Sequence, residues 1–246
     1  MYNMIVYEEI IYIALLTLLA SIIGTLAGFG ISTIMVPVLL ITLPLPQTLL
    51  LVGIVHWFND IWKMLLFRKG IRWKLFLAFG LPGIFTSFLG SSLSLRISRD
   101  VLSRALGIFL IAYVLFIIFN QAFKLSQKLS VAVSSGALTG FFAGIFGIGG
   151  EINAVSLSAF NLKKAVYVAT AGAISFMIDS TRIATYIQGG TRLDPVLVSG
   201  FLIFIPVSLI GAVIGKRGVE KIPQEKFRNF VAIFIFLLGL KLILFP

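Results

Sequence analysis

His56, Asn59, Asp60 and Lys63 fall at i, i+3, i+4 and i+7, one stripe of a helix, inside a run that is otherwise apolar. Ser175, Asp179 and Arg182 answer them at i, i+4 and i+7. Each Asp precedes a cation by three residues, so each stripe offers a carboxylate able to carry a proton beside a group able to hold an anion. A third acid, Glu151, is the only charged residue between Leu129 and Asn161. A charge at the centre of a bilayer costs about 3 kcal/mol or more on the mildest insertion scale, so two matched pairs argue for an interior, functional face. His56, Asp60, Glu151 and Asp179 are the expected proton carriers, and Lys63 and Arg182 the expected anion-steering groups. The competing structural readings are two simple i,i+3 ion pairs, cations that snorkel to opposite surfaces, and, for Glu151, an acid that satisfies N–H groups at a helix start.

The elements that must position these groups are broken by glycine. Gly24-Thr-Leu-Ala-Gly28-Phe-Gly30-Ile-Ser32 near the start returns, 116 or 117 residues on, as Gly140-Phe-Phe-Ala-Gly144-Ile-Phe-Gly147-Ile-Gly149-Gly150-Glu151. Asp60 lies ten residues before Gly70, and Asp179 ten before Gly189. Glycine breaks a helix and lets backbone approach backbone or ligand. Half-helices starting near Gly30 and Gly150 would aim free N–H groups and positive dipole ends at an anion. Gly28, Gly30, Gly147, Gly149 and Gly150 are the expected backbone contacts, with Ser32, Thr33 and Asn153 as side-chain donors. Gly24, Gly28, Gly140 and Gly144 are spaced by four, which also fits close helix packing.

Composition names the solvent. The 246 residues are 59% hydrophobic and only 12% charged, with a mean hydropathy of +1.08, too apolar for a soluble core of this length. The expectation is an all-α, polytopic integral membrane protein. With no Cys and one His, thiol chemistry and disulfides are excluded, a metal cage is disfavoured and no cofactor is expected. The net charge of +11 reads as a loop signature rather than as nucleic-acid binding. Glu8 and Glu9 ahead of the first apolar run argue against a signal peptide.

Ten apolar runs follow, of which Ile31 to Leu43 and Ile152 to Phe160 are too short to cross alone, since a span needs ~20 residues. They are expected to be half-helices of re-entrant hairpins, their breaks lining the interior. Residues 1–124 and 125–246 thus form two repeats within one structural domain, each with a broken hairpin and three spanning helices. Loops holding Arg68, Lys69, Arg72, Lys74, Lys124, Lys128, Lys163, Lys164 and the Lys216 to Arg228 segment carry the whole net charge; the loops of the other side cancel. The basic side is expected to be cytoplasmic, both termini outside, and the repeats inverted. Pro37, Pro82 and Pro206 are expected to kink helices, and Trp57, Trp62 and Trp73 to anchor at the interface.

At these glycine motifs the chain resembles the sulfite exporter TauE/SafE family, also called the toluene sulfonate uptake permease family. The matching elements are Gly28-Phe-Gly30 with Val36-Pro37, and Gly144-Ile-Phe-Gly147-Ile-Gly149-Gly150. The resemblance spans essentially the whole chain and implies a plasma-membrane carrier of sulfite, sulfonates, sulfoacetate or related organic anions. Two positions depart from the family pattern. Glu151 stands where many members continue with Gly, and Ala154 where the repeat offset would match Pro37. A carboxylate beside an anion cradle repels a dianion unless it is protonated. The expected partners are a small anion, protons and the bilayer, with homo-oligomerisation left open. An anion channel, a membrane-embedded enzyme and a lipid-binding protein are the rival classes, the enzyme being disfavoured for want of a nucleophile or metal set.

Overall fold

The computed structural model describes residues 2–27, 30–67, 70–120, 125–218 and 224–245, which form helices and connecting turns. In chain order the helices are α1 (Tyr2–Ala27), α2 (Ser32–Leu39), α3 (Leu45–Leu66), α4 (Trp73–Ser94), α5 (Arg99–Phe119), α6 (Leu129–Phe146), α7 (Gly150–Ser158), α8 (Lys164–Gln188), α9 (Pro195–Gly218) and α10 (Gln224–Leu244). Among the described residues, five of them are long and apolar enough to cross a membrane: Glu8–Leu26 within α1, then α3, α4, α6 and α9. The protein is an all-α, polytopic membrane protein.

Both expected breaks form, and glycine makes them. Gly147 closes α6 in the left-handed region at φ 74°, its N–H donating to the Ala143 carbonyl. Gly30, at φ 92°, turns the chain between α1 and α2. An L side chain pays for such a conformation, so glycine is required at both points. The short helices that follow, α2 with eight residues and α7 with nine, rise only about 12–14 Å at 1.5 Å per residue. Neither can span a bilayer.

Small residues set the packing, because lipid supplies no hydrophobic drive between helices. α6 lies on α4 through Gly136, Gly140 and Gly144, where an added Cβ would meet backbone atoms of Phe79, Gly83 and Ser87. α9 lies on α1 through Gly211 and Gly215, against Ser21 and Thr25. Exchanging α1–α5 with α6–α10 carries the α1·α9 contact onto α6·α4, α3·α9 onto α8·α4, and α3·α8 and α5·α10 onto themselves. α3 and α8 stand innermost, while Leu81, Phe85, Leu202 and Ile210 on α4 and α9 face outward.

Loops gather at two ends. At one, Lys216 Nζ donates to the Leu66 carbonyl over 2.8 Å and the Arg72 N–H to Thr170 Oγ1. At the other, Arg99 Nη2 reaches the Leu40 carbonyl over 3.0 Å and Leu95 abuts Gly189.

Two tryptophans are tied to neighbouring helices. Trp57 Nε1 donates to Ser180 Oγ over 2.8 Å, and its ring stacks on Phe176 with centroids 4.8 Å apart. Trp62 Nε1 donates to Ser208 Oγ over 3.2 Å. Indole N–H groups in lipid need a partner, and here they find one on a neighbouring helix, joining α3 to α8 and α9. Trp73 is largely exposed at the start of α4.

Candidate functional site

The two charged stripes face each other across the α3/α8 contact and interlock. Lys63 Nζ lies 2.9 Å from Asp60 Oδ1, and Arg182 Nε lies 2.6 Å from Asp179 Oδ1. These are the i,i+3 pairs of the simple structural reading. The connection between them goes further. His56 Nδ1 on α3 lies 2.8 Å from Asp179 Oδ2 on α8, while its Nε2 lies 3.6 Å from Asp60 Oδ1. One imidazole therefore ties both stripes into a single network. All five side chains are buried, Asp60 and Arg182 completely, so neither cation snorkels to a surface.

Glycines on the opposite half make room for each cation. A Cβ at Gly53 would stand 3.5 Å from Arg182 Cζ and Nη1. A Cβ at Gly172 would stand 3.3 Å from Lys63 Cβ and 3.8 Å from its Cδ. The arrangement is reciprocal, since Gly53 and Gly172 each precede their Asp by seven residues. Neither glycine belongs to the charged stripes, although that shared spacing is a usable signal in the sequence. Tyr186, which no stripe marks either, is buried beside Arg182, and its hydroxyl donates to the Gly144 carbonyl.

The broken hairpins converge on this network. Ser32 at the start of α2, Gly147, Gly149 and Gly150 at the start of α7, His56, Thr139, Ser175 and Asp179 line one small cavity. It offers about 10 Å³ to the centre of a water molecule, room for about one water. Neither half-helix carries a side-chain cap, so their first N–H groups and positive ends remain available at the cavity. Gly30 lies directly against the His56 ring. Thr33, Glu151 and Asn153 are buried one step behind, with Thr33 and His56 the polar groups facing Glu151. Of the expected site residues, Gly28 lies outside the described residues; all the others gather here.

Several polar atoms of this cluster lack hydrogen-bond partners although buried: both Glu151 oxygens, Arg182 Nη1 and Nη2, Asn153 Oδ1, and the hydroxyls of Ser32, Thr33 and Thr139. Unmet polar groups in an apolar interior are expensive, so such a concentration marks a place built for a ligand or proton rather than for stability. His56, Asp60 and Asp179 bring ligand atoms within 4.8 Å of one another, a spacing a metal ion could use. Lys63 and Arg182 already occupy the same carboxylates, and their charges oppose a divalent ion. The arrangement fits anion and proton binding better.

Uncapped half-helices meeting a buried charge network inside a multi-pass bundle define a membrane transporter. A family profile described as sulfite exporter TauE/SafE matches residues 13–242. The chain belongs to the sulfite exporter TauE/SafE family. A protein of Methanocaldococcus jannaschii described as a probable membrane transporter protein is 26% identical over 192 residues, covering 72% of this chain and 70% of that one.

Proposed function

We propose that this protein is an alternating-access secondary transporter that moves a small sulfur-containing or organic anion across the plasma membrane with protons as the coupling ion. Residues 1–124 and 125–246 are two inverted repeats, the basic loop side is cytoplasmic and both termini lie outside. The single observation that carries the reading is the meeting of two uncapped half-helix starts at one cavity, with buried Arg182, whose Nη1 and Nη2 are unpartnered, packed beside Gly147 of its lining. Two parallel N–H groups of a guanidinium match an oxyanion edge, and two helix starts add backbone donors.

The exchange relation among helix contacts supports the repeat reading, as does the stacking of Trp57 on Phe176, residues 119 apart, the offset that also relates Asp60 to Asp179. In this conformation the cavity admits about one water, so anion entry requires the half-helices to separate from α3 and α8. Lys63 neutralises Asp60 and adds positive potential. His56, Asp60, Glu151 and Asp179 form the proton-carrying set, with His56 placed to pass a proton between the two aspartates.

The test is uptake of radiolabelled sulfite and a sulfonate panel into proteoliposomes holding purified protein, with and without an imposed proton gradient. Saturable uptake stimulated by the gradient is the expected result. Uptake that is linear in concentration and indifferent to the gradient would make the protein a channel. No uptake of any anion would refute the reading.

A further inference from the structure

The charges of the buried network fix what it can carry. Three buried carboxylates, Asp60, Asp179 and Glu151, stand against two buried cations, Lys63 and Arg182. Around His56 the charged neighbours are Asp60 and Lys63 on its own helix, Asp179 and Arg182 on α8 and Glu151 on α7; α2 and α6 contribute only the hydroxyls of Ser32, Thr33 and Thr139. With His56 neutral the set holds one uncompensated negative charge. An isolated charge in such surroundings costs several kcal/mol, so the empty site holds one proton. Two positions can take it without breaking an ion pair: Glu151, which joins none of the ion pairs of the network, and the His56 imidazole.

We propose that the site accepts one singly charged oxyanion on Arg182 Nη1 and Nη2 together with one additional proton, so that each transport step is electrically neutral. This rests on the anion-transport reading given above. A monoanion returns the network to one net negative charge, and the second of the two proton positions cancels it. The loaded site then has Glu151 protonated and His56 as imidazolium between Asp60 and Asp179. A dianion would need a third proton. The only remaining acceptors are Asp60 and Asp179, and protonating either dissolves an ion pair with Lys63 or Arg182. Charge count therefore selects monoanions over dianions of the same chemical group, whatever the size of the open cavity.

The experiment uses the full chain in proteoliposomes loaded with a pH-sensitive dye, the membrane potential being clamped with valinomycin and potassium. The probes are methanesulfonate, with one charge, and sulfoacetate, with two. The expected result is methanesulfonate uptake accompanied by one proton per anion, with the same accumulation at 0 and 100 mV, and sulfoacetate uptake at least tenfold slower. One uncompensated charge moving through 100 mV is worth about 2.3 kcal/mol, about a fiftyfold change in accumulation. A change of that size in methanesulfonate accumulation, or sulfoacetate uptake as fast as methanesulfonate, would overturn the charge assignment while leaving a transporter in place. Absence of flux for both probes and for sulfite would overturn the transport reading itself. Glu151→Gln, close in shape, should lose proton-linked accumulation; if it fails to fold, the wild-type stoichiometry alone decides.

Discussion

Gly30→Ala would separate the turn from the site. At φ 92° an L residue costs about 1–2 kcal/mol in backbone strain. The new Cβ would stand 2.8 Å from His56 Cε1 and closer still to Nε2. Carbon contacts settle near 3.5–4.0 Å, so the ring must retreat by about 1 Å. His56 Nδ1 sits only 2.8 Å from Asp179 Oδ2, and a shift of that size breaks the link between α3 and α8. A close contact of this kind between charged groups is worth about 1.5–3 kcal/mol, corresponding to about ten- to a hundredfold in flux. Gly190→Ala is the control: φ is 90° but nothing lies within 4 Å of its Cβ. Thermal unfolding in detergent should record the backbone penalty in both variants and a further loss in Gly30→Ala from the broken link. Proteoliposome flux per folded molecule should fall at least tenfold for Gly30→Ala and stay at wild type for Gly190→Ala. Equal flux in the two would refute the idea that Gly30 exists to admit His56.

Removing Lys63 alone, as Lys63→Met, strands a buried carboxylate and should destabilise the protein by about 3–5 kcal/mol, whereas Lys63→Met with Asp60→Leu should recover most of that loss in a melting assay. Recovered folding with lost proton coupling would assign the pair to function. Gly53→Ala places a Cβ 3.2 Å from Ile183 Cγ1 and 3.5 Å from the Arg182 guanidinium; a several-fold rise in the anion KM with an unchanged melting temperature is expected. Gly140→Ala sets a Cβ against the Gly83 backbone between α6 and α4, so it should cost about 1–3 kcal/mol of stability and leave the proton-to-anion ratio, read with a pH-sensitive dye, unchanged.

The chain alone determined its solvent, its segments and the chemistry available to it. Apolar runs of spanning length can satisfy their backbone in lipid only as helices, so composition and run length fix an all-α bundle. The half-helices were legible because glycine at Gly30 and Gly147 interrupts runs too short to cross, and a left-handed backbone there admits little else. His56, Asp60, Glu151, Asp179, Lys63 and Arg182 were legible because charge in an apolar run is costly wherever the chain goes.

Tertiary structure decided how those groups meet. Periodicity along one helix sees Asp60 with Lys63 and Asp179 with Arg182; only the crossing of α3 on α8 brings His56 to both aspartates. The destination of Arg182 was equally hidden, since snorkelling and inward pairing leave the same sequence trace. It pairs inward with Asp179, and the bare face of Gly53 on the other half of the chain lies against its guanidinium. Trp57 and Trp62 followed the same logic, since only the packing shows that Ser180 and Ser208 on neighbouring helices supply acceptors for their N–H groups. Local pattern fixes which groups must be hidden from lipid, and the packing of small residues between helices fixes what each is hidden against.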